Sequence, residues 1–523
     1  MKRFILLLLV SVMFIAMMSG CGSASSAALG VKDAIPDNFT IDANSNLDAD
    51  ITIVQALDMV TWDATITGDP SNAYVVNAVY SVMFNFDEDL NGIPELTESY
   101  ERVSDTEWHF KIHKNVLCHD GTPLTADDVV YSLNRTKAGT AVGALFQRVK
   151  EITKIDDYTI SITTDGPYPA MTTALTHPAT CIIPKHYAEA ATATGDWTKP
   201  IGSGRYRFES RAIGDNIKLV RFEKYFNQDD KALNRSLTYK IIPEGTSRTI
   251  AIETGAADIN VDFDPVDYDR VVKDPNVTLW QHYSRTVWHL GINTTLEWLN
   301  NKLVRQAIAF AIDREACMEV GHNGKGTVAF NSSTIVPNCL GAVVNPLNMY
   351  RYDPERAQQL MDEANCPGFN TQIIVFRNET ERIATLCQAY LAVIGINVEV
   401  VRIENAVFPS YVASHKAPMF ITSWSSYWDP DLFIARRFST AGINGVNRSW
   451  YLNEELDELI ARGRSTFDNT ERAAVYKKIQ EFMAPESPEV DLYASVMFAL
   501  ANKDLKGIEI NIERPYNYYK LHY

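Results

Sequence analysis

Residues 119–133 read HDGTPLTADDVVYSL, and this stretch joins a strand to a helix through a tight turn. Before it, residues 107–116 alternate apolar and polar side chains, as a half-buried strand does. The Asp-Gly pair then supplies the turn. Thr125 can cap a helix whose third residue is Asp128, and the apolar residues that follow are spaced to cover one helical face. The stretch therefore predicts a strand, a turn and an amphipathic helix in direct succession.

Strand-like and helix-like segments alternate along the rest of the chain, and no repeat or block of charge divides it. Residues 51–54 are typical of an opening strand. The spacing of apolar residues predicts further helices over 302–320, 354–365, 381–394, 454–462 and 470–483. Alternation of this kind predicts an α/β protein with a mixed sheet.

The composition excludes several classes of protein. With 523 residues, of which 46% are hydrophobic, the chain can bury a large core. Its length suits about two to four domains. The formal net charge is −17 at pH 7. Such an acidic surface repels phosphate groups, so we expect no nucleic-acid partner and no binding to anionic lipid.

The first residues have the layout of a bacterial lipoprotein signal. A short basic start precedes an almost wholly apolar run over 4–18, and small residues lead to Cys21. The run is shorter than the roughly 20 residues that a helix needs to cross a bilayer, and no later segment is long and apolar enough. We therefore predict a signal peptide over 1–20, lipid on Cys21 and a flexible tether over 21–44. The protein would be held outside the cytoplasm on the cell membrane. The alternative is an ordinary secretory signal that contains a cysteine.

The sequence shows no signature of catalysis or of a bound metal. His109, His113, Cys118 and His119 lie close together in sequence, but two histidines four residues apart on a strand are too distant to share one ion. The sequence contains no nucleophile elbow and no phosphate-binding loop. We therefore expect no enzyme activity, no metal and no cofactor.

The cysteines other than Cys21 are scattered along the chain. They form no CxxC pair, so we interpret them as small buried hydrophobic residues. Disulfide bonds stay open in an exported protein, and the sequence does not indicate their pairing.

Several short motifs follow one another over most of the chain. They are residues 96–100, 119–133, 200–206, 253–259, 293–294, 304–314, 352–357 and 428–431. In this order they resemble the peptide- and nickel-type, oligopeptide- and dipeptide-binding-like extracytoplasmic solute-binding proteins of ABC importers. The resemblance implies an α/β fold with mixed sheets, arranged as a two-lobed periplasmic-binding-protein-like clamshell with an extra subdomain in lobe one.

The resemblance also implies how the chain is divided around a ligand cleft. Lobe two would comprise residues 286–489, and residues 85–199 would form the subdomain inserted into lobe one. Lobe one itself would comprise residues 45–84, 200–285 and 490–523. The chain would therefore cross between the lobes twice.

The implied function is transport without catalysis. The chain would capture a peptide or similar small polar solute and deliver it, as a monomer, to a permease and ATPase complex. Three alternatives stay open: a nickel- or metallophore-type binding protein, a peptide sensor without transport on the same scaffold, and a lipid-anchored hydrolase. The identity of the ligand and the preferred peptide length stay open as well.

An apolar strand runs into a polar and aromatic loop at residues 420–430, where peptide-binding relatives line the cleft. The predicted ligand contacts in this loop are Trp424, Ser425, Ser426, Tyr427, Trp428 and Asp429. In those relatives an aspartate shortly before the Asp-Pro pair binds the peptide's α-ammonium, and in this chain hydroxyl and aromatic residues take its place. Asp429 can also cap the next helix ahead of Pro430. We expect Trp424 to stack on the ligand and selectivity for a free α-ammonium to be weak.

Four residues elsewhere are further candidate ligand contacts: two aromatic residues that fall where relatives approach the ligand, a threonine, and an arginine near the lobe crossing that could bind a carboxylate. They are Trp62, Tyr168, Thr180 and Arg285. Thr180 belongs to residues 175–184, where metallophore-binding relatives carry an arginine. A core role is the alternative for the two aromatic residues, and a surface ion pair is the alternative for Arg285.

Overall fold

The opening stretch folds as its pattern predicts. In the computed structural model, Glu107–Ile112 is a strand whose alternate side chains are buried, and Ala126–Ala138 is a helix. Asp128 accepts hydrogen bonds from the backbone amide of Thr125 at 2.8 Å and from its hydroxyl at 3.2 Å. The other carboxylate oxygen of Asp128 accepts from the amide of Lys185 at 2.8 Å. One side chain thus caps this helix and also binds the first residue of the helix Lys185–Thr194.

The structure describes residues 31–33, 41, 44–66, 70–86, 92–139, 143–328, 335, 339–343, 350–405, 407–425, 429–443, 446–509 and 517–523. The predicted signal peptide, Cys21 and most of the predicted tether lie outside these residues. Three of the predicted ligand contacts, Ser426, Tyr427 and Trp428, lie outside them as well.

The strands of the described residues are numbered in chain order. They are Val31–Asp33 (β1), Asp50–Gln55 (β2), Phe84–Phe86 (β3), Gly92–Pro94 (β4), Thr97–Ser104 (β5), Glu107–Ile112 (β6), Val149–Asp156 (β7), Thr159–Thr164 (β8), Tyr206–Ala212 (β9), Asn216–Arg221 (β10), Ser236–Ile241 (β11), Ile259–Asn260 (β12), Val277–Ile292 (β13), Gly326–Val328 (β14), Phe369–Val375 (β15), Ile396–Arg402 (β16), Met419–Ser425 (β17) and Glu489–Asn502 (β18).

The α-helices alternate with these strands. They are Pro70–Val79 (α1), Ala126–Ala138 (α2), Met171–Ala174 (α3), Lys185–Thr194 (α4), Gly245–Glu253 (α5), Tyr268–Val271 (α6), Lys302–Ala311 (α7), Arg314–His322 (α8), Pro354–Glu363 (α9), Asn378–Val393 (α10), Phe408–Ala413 (α11), Asp431–Phe438 (α12), Glu454–Ser465 (α13) and Asn469–Glu486 (α14). The last four of the helices predicted from spacing are confirmed within a few residues at each end.

The single helix predicted over 302–320 is wrong, because the chain breaks between α7 and α8. Asp313 adopts an extended backbone and its side chain accepts from the amide of Ala316 at 3.1 Å, which starts a second helix. The buried guanidinium of Arg314 donates to the carbonyls of Asp491 at 2.8 Å and Tyr350 at 2.6 Å. These long-range bonds fix the break, and apolar spacing cannot reveal them.

A twelve-stranded sheet runs through the molecule in the order β16-β15-β17-β13-β18-β12-β2-β11-β10-β9, with β1 and β14 attached to β13 and β18. The antiparallel strands β13 and β18 are its long central pair, and their register shifts between Tyr283 and Val287. On one side of this irregularity β18 pairs with β12, and on the other side β13 pairs with β17. The chain therefore crosses from one half of the sheet to the other at residues 284–286.

Three large hydrophobic cores lie around this framework. The first packs on β2 and β9–β11, and the second lies between β15–β17 and helices α7–α10. The third lies between α2 and a separate four-stranded sheet in the order β5-β6-β8-β7. We call the bodies around these cores lobe one, lobe two and the inserted subdomain. Their boundaries along the chain stay predictions.

Candidate ligand-binding cleft

Hydroxyl groups meet where the chain crosses between the lobes. The Oγ1 atom of Thr286 on β13 lies 2.7 Å from the Oγ atom of Ser425 at the end of β17, and the two share a hydrogen bond. Ser495 on β18 donates to the carbonyl of Thr286 at 3.4 Å. Register produces this cluster, because β13 pairs with both β17 and β18 at this point. We call these hydroxyl groups, together with the neighbouring Trp424, the floor of the candidate cleft. The floor offers neutral donors and acceptors.

Trp424 precedes Ser425 on β17 and is half-buried against an apolar cluster of lobe two. The guanidinium of Arg437 lies 5.9 Å from the centre of its ring, and Arg437 forms a buried ion pair with Glu489. The indole N–H is buried and has no hydrogen-bond partner within the described part of the chain. The partly exposed ring suits a ligand contact, whereas its buried N–H does not reach the surface.

The side chain of Asp429 is used inside the fold and does not reach the ligand. Its two carboxylate oxygens accept hydrogen bonds from the two terminal nitrogens of Arg472, each at 2.5 Å, and both side chains are buried. One oxygen also accepts from the amide of Asp431 at 2.9 Å, which caps α12. The helix begins at Asp431, one residue later than predicted, because Pro430 precedes its first turn. Pro430, not Asp429 as predicted, therefore holds the N-cap position, and Asp429 binds the first amide of the helix from one residue further back. Both oxygens of its carboxylate are already engaged.

Three of the predicted contacts pack inside the fold instead of reaching the cleft surface. Trp62 is 1% exposed and meets Phe208 edge to face with the ring centres 5.7 Å apart. Tyr168 is buried and its hydroxyl donates to the carbonyl of Leu145 at 2.7 Å. Thr180 is fully buried and donates to the carbonyl of His177 at 2.7 Å. These bonds and contacts give each of the three a structural role.

Arg285 lies at the register irregularity of β13 and is half-buried. Its charge acts on His177, whose pKa is lowered to about 3, first by burial and then by the Arg285 guanidinium. The Nδ1 atom of His177 accepts from the amide of Ala179 at 3.1 Å, so a neutral ring carries its proton on Nε2. His177 therefore stays neutral at physiological pH, close enough to Arg285 to feel its charge. From this segment, sequence reasoning selected Thr180 and not His177 as the candidate ligand contact.

Cys339 belongs to the same neighbourhood. Burial raises the pKa of its thiol to about 12, the Asp429 carboxylate adds to the rise, and the Arg285 guanidinium opposes it. The thiol is therefore protonated and unreactive at neutral pH. Its electrostatic neighbours indicate that the crossover strand and the start of α12 border the same region of lobe two.

Lobe two touches the inserted subdomain directly. Leu432, in the first turn of α12, packs within the hydrophobic core of the subdomain. Phe467, between α13 and α14, lies 3.7 Å beneath the guanidinium of Arg102 and has its ring centre 6.2 Å from that of Trp108. Phe86, at the start of the predicted subdomain, packs against the cluster that also holds Trp424. The structure therefore has the lobes in contact around the cleft.

Asp431 follows the cleft loop and is buried between lobe two and the subdomain. A carboxylate oxygen lies 2.9 Å from the Nε atom of Arg464, although the N–H does not point at it. Burial raises the pKa of Asp431 to about 6, and the nearby Arg464 opposes the rise. This acid is therefore close to protonation at mildly acidic pH.

Metal sites and membrane spans are two other features that a chain of this size can carry. Across the described ranges, no group of three or more His, Cys, Asp or Glu side chains is arranged to hold a metal ion. No helix within those same ranges is both long and apolar enough to cross a bilayer.

Comparison with known proteins places this geometry in context. The sequence model described as bacterial extracellular solute-binding proteins, family 5 middle, matches residues 91–445. The chain is 27% identical over 484 residues to the glutathione-binding protein GsiB of Pectobacterium atrosepticum, covering 88% of this chain and 91% of that one. It is 27% identical over 474 residues to heme-binding protein A of Haemophilus influenzae, covering 84% and 85%.

Solved structures show the same two-lobed fold. HbpA2 from Haemophilus parasuis superposes with a TM-score of 0.81 at 28% identity, covering 90% of this chain and 99% of that one. The oligopeptide-binding protein AppA from Bacillus subtilis, in complex with a nonapeptide, superposes with a TM-score of 0.75 at 25% identity, covering 91% and 99%. The predicted α/β clamshell with mixed sheets is confirmed.

Proposed function

The chain belongs to the bacterial extracellular solute-binding proteins of family 5, and we propose that it captures a peptide or similar small polar solute in this cleft and delivers it to an ABC import permease. The observation that carries the proposal is the cleft floor, where a half-buried indole lies beside hydroxyl groups at the crossover between the lobes. Two relatives are named for the binding of glutathione and heme, and a third was solved in complex with a nonapeptide. This scaffold therefore accommodates several kinds of solute. The side chains of the cleft floor would therefore determine which solute this chain binds.

The chemistry of the floor favours a solute that is recognised through flat and neutral groups. Thr286, Ser425 and Ser495 give hydroxyl groups that donate or accept. Trp424 gives a ring face that attracts flat or cationic groups, worth roughly 0.5–2 kcal/mol for each contact. Asp429, the acid nearest in sequence, is neutralised by Arg472. Recognition would therefore not depend on an ammonium–carboxylate pair.

Binding would work by closure of the lobes. A solute that touches both lobes favours the closed arrangement, and that arrangement is the signal a permease can detect. The packing of Leu432 in the subdomain core supports closure at this surface. Capture and delivery need no covalent step, so the protein acts as a binding component.

We also propose that lipid on Cys21 holds the protein on the outer side of the cell membrane. The proposal rests on the small residues that precede this cysteine and on the apolar run before them. Cys21→Ala should release the protein into the medium with an unchanged melting temperature. A variant that stays on the membrane after a salt wash would contradict the anchor.

The function itself is tested by identifying the solute. The protein is purified gently, unfolded, and the released small molecules are identified by mass spectrometry. A released peptide or polar solute that raises the melting temperature when added back supports the proposal. Turnover of that solute by the purified protein would show a hydrolase instead.

A further inference from the structure

Two buried cysteines of lobe two lie side by side. Cys317 is on α8 and Cys387 is on α10, and both side chains are fully buried in the same hydrophobic core. The thiol of Cys317 is in hydrogen-bond contact with that of Cys387. A single buried cysteine usually packs as a small apolar residue. Two thiols in contact have a further chemistry, because they can be oxidised together to a disulfide bond.

The packing of the two helices places these thiols opposite each other. One turn after Cys317, a Cβ atom on Gly321 would lie 2.9 Å from the Cδ1 atom of Ile383, which is one turn before Cys387. The two helices are therefore antiparallel, and rows of residues four apart face each other. Because Gly321 has no side chain, the helices approach closely at this turn.

Contacts at both ends of α8 hold this register. At its carboxyl end, the Nε atom of Arg382 donates to the carbonyl of Val320 at 2.7 Å. At its amino end, burial and then the Asp313 carboxylate raise the pKa of Tyr390 to about 12, so these two side chains are neighbours. The thiols are therefore held in contact by the packing of two whole helices.

The other described cysteines have different surroundings. Cys118, Cys181 and Cys339 lie in three other hydrophobic clusters. Cys366 belongs to the same core as the pair, but its thiol binds the backbone of Gly368. Among the described cysteines, the contact between α8 and α10 therefore favours one pairing.

We propose that Cys317 and Cys387 form a disulfide bond in the exported protein. The family of this chain is extracellular, and thiols are kept reduced in the cytoplasm but not outside it. The structure shows the pair in the reduced form, as two thiols. The bond joins α8 to α10 across the intervening α9 and β15. It does not depend on which solute the cleft binds.

The oxidant is a second disulfide, such as that of an extracytoplasmic thiol oxidoreductase. The thiolate of one cysteine attacks that disulfide and forms a mixed disulfide, from which the thiolate of the other cysteine then displaces the oxidant. The pair gives up two protons and two electrons, and the oxidant leaves as two thiols. The contact with Cys387 and then burial raise the pKa of the Cys317 thiol, so this exchange takes place while the chain folds and not in the packed core.

Peptide mapping tests the bond directly. The exported protein is purified without reductant, its free thiols are alkylated in denaturant, and the chain is digested with trypsin. Cleavage after Arg314 and Arg382 gives peptides 315–325 and 383–402, which carry one cysteine each. They should appear as one linked species that separates on reduction. Free thiols at both positions, before and after refolding with glutathione disulfide, would overturn the proposal, as would a link from either one to another cysteine.

Thermal unfolding tests whether the bond ties the two helices together. Refolding with reductant should lower the melting temperature by about 5 °C or more, because the closed segment no longer restricts the unfolded chain. Cys387→Ala should melt at the same temperature with and without reductant. Cys181→Ala, which removes a buried cysteine from the first core, should keep the shift. A shift that persists in Cys387→Ala would overturn the pairing, and Cys317→Ser serves if that variant fails to fold.

Discussion

The two ends of segment 419–438 use polar chemistry in opposite ways. At its start, the half-buried ring of Trp424 and the exposed Ser425, whose hydroxyl is bonded to Thr286, carry no charge. At its end, Asp429 and Asp431 are buried beside arginines, and Leu432 enters the subdomain core. The comparison teaches that the Asp429–Arg472 ion pair of this segment holds the fold together, while the neutral groups at its start are left for the solute.

The largest effect is expected from breaking the anchored end at Arg472. Arg472→Ala leaves the Asp429 carboxylate buried without its partner, which should lower the free energy of unfolding by about 3–5 kcal/mol. Lys477→Ala on the same helix is the control, because its pair with Glu481 is exposed and 3.9 Å long. That change should cost less than about 1 kcal/mol. Denaturant unfolding measures both, and similar losses for the two variants would contradict the structural role of Asp429.

The next effect concerns Asp431 and depends on pH. Burial raises its pKa in the folded protein to about 6, above the value of 3.8 usual for an aspartate. The neutral form therefore favours the folded state, and this stability is complete below the unfolded pKa and is lost as the pH rises through 6. The loss amounts to about 3 kcal/mol.

Asp431→Asn removes this titration. The unfolding free energy of the variant minus that of the unsubstituted protein should therefore rise between pH 4 and pH 6.5 and stay constant at higher pH. Glu458→Gln, at an exposed position of α13, controls for the general effect of losing an acid. A difference between the Asp431 variant and the unsubstituted protein that does not change with pH would show that Asp431 is solvated.

A smaller effect is expected where lobe two meets the subdomain. Phe467→Ala removes the ring that lies under Arg102 and beside Trp108, a contact that exists only while the lobes are together. The affinity for the solute should fall by roughly five- to tenfold, about 1 kcal/mol, with little change in the melting temperature. Phe482→Ala, within lobe two, should lower the melting temperature and leave the affinity for the solute nearly unchanged. Calorimetry measures the affinity and thermal unfolding measures the stability of each variant. An unchanged affinity for the Phe467 variant would show that the lobes do not close through this contact.

The sequence predicts this segment unevenly, and the reasons are physical. The start of a helix near Asp429 follows from local chemistry to within one residue, because an Asp-Pro pair suits that place. Its partner Arg472 comes from a distant helix, and no spacing rule connects the two. The family resemblance places Trp62 and Tyr168 near the ligand, but their burial depends on neighbours such as Phe208 and Leu145 that only the fold brings close. Apolar periodicity therefore predicts most helices, while side-chain partners need the tertiary structure.

The most direct test of the account uses the neutral start of the segment. The peptide that binds best is compared by calorimetry with its N-acetylated form, on the unsubstituted protein and on Trp424→Ala. The account predicts comparable affinity for the two peptides, and a loss of roughly 0.5–2 kcal/mol for both of them in the Trp424 variant. A preference for the free amine above tenfold, more than about 1.4 kcal/mol, would mean that an acid recognises the ammonium and would contradict recognition through neutral groups.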